Sequence, residues 1–263
     1  MKSPIRRFAA ALALAGAVVS LTACEAPQVA KDNRFNRLTY VDNFDGTMLM
    51  RPNWRTGFAW LDEDKPNENP ADGNEAWLVP EQVSVSGGML HLVAERRALN
   101  GRNWVSGQIT GENMAFQYGY IHVRMKVPQG QGFWPNFWLL PKSFGWPPEI
   151  DIAESWQQFG QIEYFNHATW WNGGRSNSFQ HTVVANPYDW HDWGLLWTAD
   201  RLEWYLDGNL VYNYSGAGVP HEPMYPLLSF SVGGANKPGI GVTGPSTPSR
   251  AEVLVDQMEI WQA

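Results

Sequence analysis

Residues 120–127 read Tyr120-Ile121-His122-Val123-Arg124-Met125-Lys126-Val127, a run in which apolar and polar side chains alternate almost without a break. Successive side chains of an extended strand point to opposite faces, so Ile121, Val123, Met125 and Val127 share one face that must be covered. The same period recurs on both sides of this run. Upstream, Val83-Ser84-Val85-Ser86 and Met89-Leu90-His91-Leu92-Val93 flank Gly87-Gly88, a pair suited to the left-handed turn of a tight hairpin. Downstream, Leu202-Glu203-Trp204-Tyr205-Leu206 and Leu210-Val211-Tyr212 flank Asp207-Gly208-Asn209, a second hairpin signal, and Ala251 to Trp261 alternates again. This last run is expected to close the sheet. Helical periodicity is almost absent, so the chain predicts an all-β domain, a β-sandwich of two antiparallel sheets.

The first residues address the chain rather than fold it. Lys2, Arg6 and Arg7 precede an apolar run from Phe8 to Leu21, too short to span a bilayer comfortably, which ends in Leu21-Thr22-Ala23-Cys24. Those four residues resemble a bacterial lipobox, whose cysteine is lipidated; the alternative is an ordinary small-residue cleavage site. Cys24 is the only cysteine, so no disulfide framework is implied. The boundaries that follow are a lipoprotein signal over 1–24, a polar tether over 25–36 and one domain over 37–263. The expected location is exported and membrane-anchored, on the outer membrane or facing the periplasm. Removing three basic and no acidic residues makes the remainder more negative than the −7 of the whole chain. Such a surface disfavours nucleic acid, which binds through basic patches.

Fifteen tryptophans are more than one core readily uses, because indole is bulky and its N–H needs a partner. Some are therefore expected to line a surface, where flat aromatics stack on the C–H faces of sugars. The segments 53–74, 170–177 and 233–248 are long for simple connections, as binding loops often are.

Glu149-Ile150-Asp151-Ile152-Ala153-Glu154 follows Pro147-Pro148 and reads as a strand. Period two puts Glu149 and Asp151 on one face and Ile150 and Ile152 on the other, while the odd separation turns Glu154 away. A β-bulge near Ile152-Ala153 restores Glu154 to the face of the other two acids. The glutamate Cα atoms then lie about 13 Å apart, and side chains leaning together close the carboxylates to about 5 Å, the separation that retaining glycosidases use. Like charges so clustered leave one member protonated near neutrality. The spacing alone leaves three readings open: a catalytic pair with a helper, ordinary solvated residues, or a divalent-cation site.

The six residues match, in glutamate-x-aspartate-x-x-glutamate form, the bulged signature of glycoside hydrolase family 16, and the chain resembles the laminarinase and agarase branch. The resemblance extends over Ser106-Gly107-Gln108-Ile109-Thr110, Tyr118-Gly119-Tyr120 and the segment Gly130-Gln131-Gly132-Phe133-Trp134-Pro135-Asn136-Phe137-Trp138-Leu139-Leu140-Pro141. It continues through Trp197-Thr198-Ala199-Asp200, Trp204-Tyr205-Leu206-Asp207-Gly208, Val232-Gly233-Gly234 and Val255-Asp256-Gln257-Met258-Glu259-Ile260-Trp261. It implies a concanavalin A-like jelly roll with a substrate cleft on a concave sheet. It also implies Glu149 as nucleophile, Asp151 as its assistant and Glu154 as acid/base, in a reaction that retains anomeric configuration. Trp134 and Trp138 are candidate sugar platforms, one of them alternatively a core residue. Trp54, Asn74 and Glu75 resemble a donor-side rim, and His167 is either a neighbour of the acid/base or structural. The chain departs from the family pattern in the short Trp146-Pro147-Pro148, in Asn136 between the tryptophans, and in Asn43, where relatives carry an acid that helps bind structural calcium. Asp256 is the remaining candidate for that site; no cofactor is required for catalysis.

The expected function is endo-acting hydrolysis of a β-linked polysaccharide, β-1,3- or mixed-linkage glucan first, by a monomer whose partners are its substrate and a membrane. The alternatives are an algal galactan or exopolysaccharide as substrate, transglycosylation, or a non-catalytic carbohydrate-binding lipoprotein on the same sandwich.

Overall fold

In a computed structural model, the alternation of residues 120–127 becomes the strand Gly119–Lys126. Ile121, Val123 and Met125 are at most 1% exposed, while His122, Arg124 and Lys126 on the opposite face are half-buried. The structure describes residues 27–68, 73–157, 164–174, 176–237 and 239–263. The signal segment and Cys24 lie outside them.

Among the described residues the strands form an eleven-stranded and a seven-stranded sheet. Arg250–Gln262, expected to close the larger sheet, runs through its middle. It is 13 residues long, so one edge pairs with Gly119–Lys126 while the other pairs first with Met89–Glu95 and then with Arg37–Asp42. Both expected hairpins are present. Gly87 and Gly88 turn the first with φ of 61° and 75°, values that cost other residues steric strain. Asp207 and Gly208 turn the second. One pair departs from the antiparallel expectation, since Ala76–Leu78 runs parallel to Trp104–Ser106.

The seven-stranded sheet carries the acids. From one edge to the other it runs Ser176–Thr182, Tyr164–Trp171, Glu149–Trp156, Phe133–Pro141, Met224–Val232, Gln108–Thr110 and Arg55–Thr56. Its inner face contributes Phe133, Phe137, Ile150, Ile152, Phe165 and Phe230 to the core, against Trp193, Leu195, Trp197 and Trp204 of the other sheet. Phe165 lies 4.3 Å from Trp193, and Trp104 meets Phe133 edge-on at 5.9 Å between ring centroids. Part of the tryptophan set is thus core, and two of its N–H groups find backbone partners: Trp197 donates to Pro220 O and Trp204 to Asp151 O.

The segment read as a tether behaves differently from that reading. Gln28–Asp32 is a short helix whose Ala30 is fully buried against Tyr120, Leu196 and Trp261, on the outer face of the larger sheet. Val29 and Phe35 add apolar contact, and Arg201 Nη2 donates to Asn33 Oδ1 at 2.7 Å. A few apolar residues among polar ones are enough to dock it.

Candidate active site

The carboxylate strand Glu149–Trp156 contains the bulge that its spacing demands. Toward Tyr164–Trp171, Asp151 pairs with Ala168 and Glu154 with Asn166, so Ile152 and Ala153 together face His167. Toward Phe133–Pro141, Ala153 pairs with Phe137 and Asp151 with Trp138, leaving Ile152 unmatched. Ile152 and Ala153 both turn into the core and are fully buried. Two successive inward residues reset the parity and bring Glu154 out beside Asp151 and Glu149.

The trio is recessed, with Asp151 and Glu154 only 4% and 3% exposed and Glu149 half-buried. Each acid accepts an indole N–H. Trp146 Nε1 donates to Glu149 Oε2 at 2.9 Å, Trp170 Nε1 to Asp151 Oδ2 at 3.1 Å and Trp134 Nε1 to Glu154 Oε1 at 2.9 Å. Asn136 Nδ2 adds a bond to Asp151 Oδ1 at 3.1 Å. Burial, then repulsion from Asp151, pushes the Glu149 carboxyl well above the ordinary range. Burial, then repulsion from Glu154, pushes Asp151 up to about 7, against the opposing pull of Lys237, Asn136 and Trp170. The crowded acids therefore retain a proton near neutrality rather than all being ionised. That arrangement can hold one carboxylate ready as a nucleophile beside a second acid five residues along the chain.

Comparison with known proteins places this geometry. The sequence profile described as Glycosyl hydrolases family 16 matches residues 76–241, more than half of the chain and inclusive of all three acids. The chain belongs to glycoside hydrolase family 16. It is 31% identical over 255 residues to the endo-1,3-1,4-beta-glycanase EglC of Rhizobium meliloti, covering 89% of this chain and 53% of that protein. It is 29% identical over 215 residues to the endo-1,3-1,4-beta-glycanase ExsH of the same organism, covering 74% of this chain and 46% of that one. The chain thus spans about half the length of these two relatives. The laminarinase of Rhodothermus marinus has the same fold, with a TM-score of 0.73 at 22% identity over 86% of this chain and 97% of that one.

Within this family-16 chain the other predicted site residues divide. Trp134 and Trp138 both lie on the face of the acids, since a separation of four keeps parity; neither is turned into the core between the sheets. Trp134 is nevertheless no open platform, because it is 6% exposed and Lys237 Nζ sits 4.4 Å from its ring centroid. Trp138 is half-buried, its ring meeting Phe58 edge-on.

Trp54 is not on the rim. It is 1% exposed and part of the core, packs against Phe44 and donates Nε1 to Asp42 Oδ2. Asn74 is buried too, its Oδ1 accepting from Ala76 N and Val232 N. Glu75 accepts from both the backbone N–H and the hydroxyl of Thr243, so its carboxylate pins the 233–248 loop. His167 is fully buried on the inner face, not beside Glu154. It donates Nδ1–H to Ile152 O at the bulge, and its Nε2 accepts from Thr182 Oγ1 at 3.1 Å. Burial holds its pKa down to about 4, which keeps the ring neutral, and the bond to Ile152 O sets the tautomer.

The histidine on the outer side is His181, in register with Asn166, which is in register with Glu154. Its ring lies 5.5 Å from Trp156, and burial lowers its pKa although the Glu154 charge opposes this. Lys237 was also missed. Its Nζ stands 3.5 Å from Glu154 Oε1, and only the folded course of the 233–248 loop brings it there. Trp146 and Trp170 carried no separate signal beyond lying close to the acids in sequence or in a binding-type loop.

The candidate calcium residues do not make a cation site with their side chains. Asp256 Oδ2 pairs with Arg124 Nε at 3.3 Å, and Asn43 Oδ1 accepts from Gln257 Nε2 at 2.9 Å. Among the described residues no group of three or more His, Cys, Asp or Glu side chains is placed to hold a metal.

Proposed function

We propose that the chain is an endo-acting, retaining β-glucanase of this family, cutting β-1,3- or mixed-linkage glucan. The observation that carries the reading is the bulge, which gathers Glu149, Asp151 and Glu154 on one recessed face and gives each a separate indole donor. The activities for which EglC and ExsH are named, and the laminarinase likeness, support the choice of substrate.

In this reading Glu154 gives its proton to the glycosidic oxygen while ionised Glu149 attacks the anomeric carbon, and the bond to the leaving sugar breaks as the glycosyl ester forms. Asp151, carrying the proton that the crowded pair retains, steadies Glu149 through a hydrogen bond. Deprotonated Glu154 then takes a proton from water, which attacks the anomeric carbon, breaks its bond to the Glu149 oxygen and leaves the sugar with the starting configuration restored. Trp134 and Lys237 hold the Glu154 carboxylate in place for both steps.

The chain is further proposed to act as an exported monomer anchored through lipid on Cys24, the reading supported by Leu21-Thr22-Ala23-Cys24. Purified protein should release oligosaccharides from at least one glucan in a panel that also contains galactans and exopolysaccharides. Glu149→Gln and Glu154→Gln should each lose at least about 10³-fold in kcat while still binding substrate. Proton NMR of the first product should show retained configuration. Inverted product, or full activity in either variant, would overturn the assignment; binding without hydrolysis by the wild type would favour a lectin-like role.

A further inference from the structure

Beyond the acids, a second cluster covers the same outer face. Phe58, Leu140, Tyr225 and Leu227 pack together with Trp138 at their margin. Trp138 is in register with Asp151, so this cluster begins beside the acids. From it an aromatic path leads outward: Phe58 meets Trp138 edge-on at 6.3 Å, and Trp60 stacks on Phe58 at 4.7 Å with rings inclined by 22°. Trp60 is 50% exposed, with Phe58 against one face of the indole. A large exposed apolar side chain on a fixed support is a feature of ligand sites.

The support is fixed by side chains rather than by regular structure. Phe58 N–H donates to Asn67 Oδ1 at 3.1 Å, and Asn67 Nδ2 donates to Asp62 O and Lys65 O. Arg55 reaches Ala59 O, and Thr56 Oγ1 donates to Glu63 O. Gly57 has φ of 69°, and a Cβ there would overlap Asn67 Oδ1 at 2.2 Å, so this turn accepts no other residue without opening the loop. The Trp138 Nε1–H, buried below this path, has no hydrogen-bond partner among the described residues.

We propose that Trp60, carried on Phe58 and Trp138, is a preformed platform for a pyranose ring beyond the one that reacts, on the Glu149 side of the scissile bond. The inference rests on the proposed glycan substrate and adds to it a binding position remote from the acids. Stacking on a rigid indole costs little ordering, so its contribution goes to affinity for longer chains and leaves short ones untouched.

The test uses the full chain carrying Glu149→Gln, which binds without turnover, titrated with β-1,3- and mixed-linkage gluco-oligosaccharides from disaccharide to octasaccharide. Trp60→Ala should raise Kd about tenfold for the longer members and leave the shortest unchanged. Trp60→Phe should restore most of the loss, and an unchanged melting temperature would show that the half-exposed site still folds. In the active protein, Trp60→Ala should lower kcat/KM with the same dependence on length. No change at any length, or an equal loss at all lengths, overturns the platform. Binding without hydrolysis by the wild type would sink the catalytic reading while the length series still decides Trp60; no binding at any length would overturn both.

Discussion

Asp151 and His167 stand on opposite faces of adjacent strands and push the stability of the molecule in opposite directions as pH changes. Asp151 is raised from 3.8 to about 7, and Glu149 is raised as well. The folded chain therefore binds more protons than the unfolded chain across that window, and stability is lost as pH rises through it. His167 is lowered from 6.5 to about 4, so the folded chain binds fewer protons there and stability is lost as pH falls. The two slopes oppose each other between about pH 4 and 6.5. Asp151→Asn removes one of them, so its melting temperature should climb more steeply with pH than that of the wild type. At pH 7.5 it should melt a few degrees higher, while its activity falls. Parallel melting curves would show that Asp151 is not the residue carrying the proton.

At the scale of the element, the bulge is the feature on which the site depends, and His167 is its prop. His167→Ala removes the bond to Ile152 O and leaves a cavity between the sheets. Stability in urea should fall by about 2–4 kcal/mol. Loss of alignment between Glu149 and Glu154 should lower kcat about tenfold with KM little changed; a KM effect alone would return His167 to a direct role in binding. The bulge itself was legible in the sequence, because an odd separation between acids that share a task admits few other solutions. So were both hairpins, whose turns need glycine. The side of the strand facing His167 was not, since period two says which residues share a face but not which face is covered. Only the pairing of His167 with two inward residues settles that, and only strand order brings His181 into line with Glu154. Trp54, Asn74 and Glu75 lay in a loop-rich stretch where neither period nor register applies. Their contacts there are with Asp42, Val232 and Thr243 rather than with the acids.

At the scale of the whole molecule, the sandwich separates two tasks, with the acids on the outer face of one sheet and the N-terminal helix on the outer face of the other. Cys24→Ala should move the protein from the membrane to the soluble fraction on cell fractionation, with activity per molecule on a short soluble substrate unchanged. Protein that stays in the membrane fraction would refute the lipid anchor. The helix also bears on how an anchored enzyme meets its substrate. Only three residues separate Cys24 from Gln28, a leash of at most about 14 Å even when fully drawn out. Because the helix is moored to the back of the sandwich by Ala30 and by Arg201, an attached molecule cannot swivel freely about that leash. Were Cys24 lipidated as proposed, the molecule would stand with its back to the bilayer and the acids outward, where a polymer too large to reach the lipid surface could still be grazed from the side.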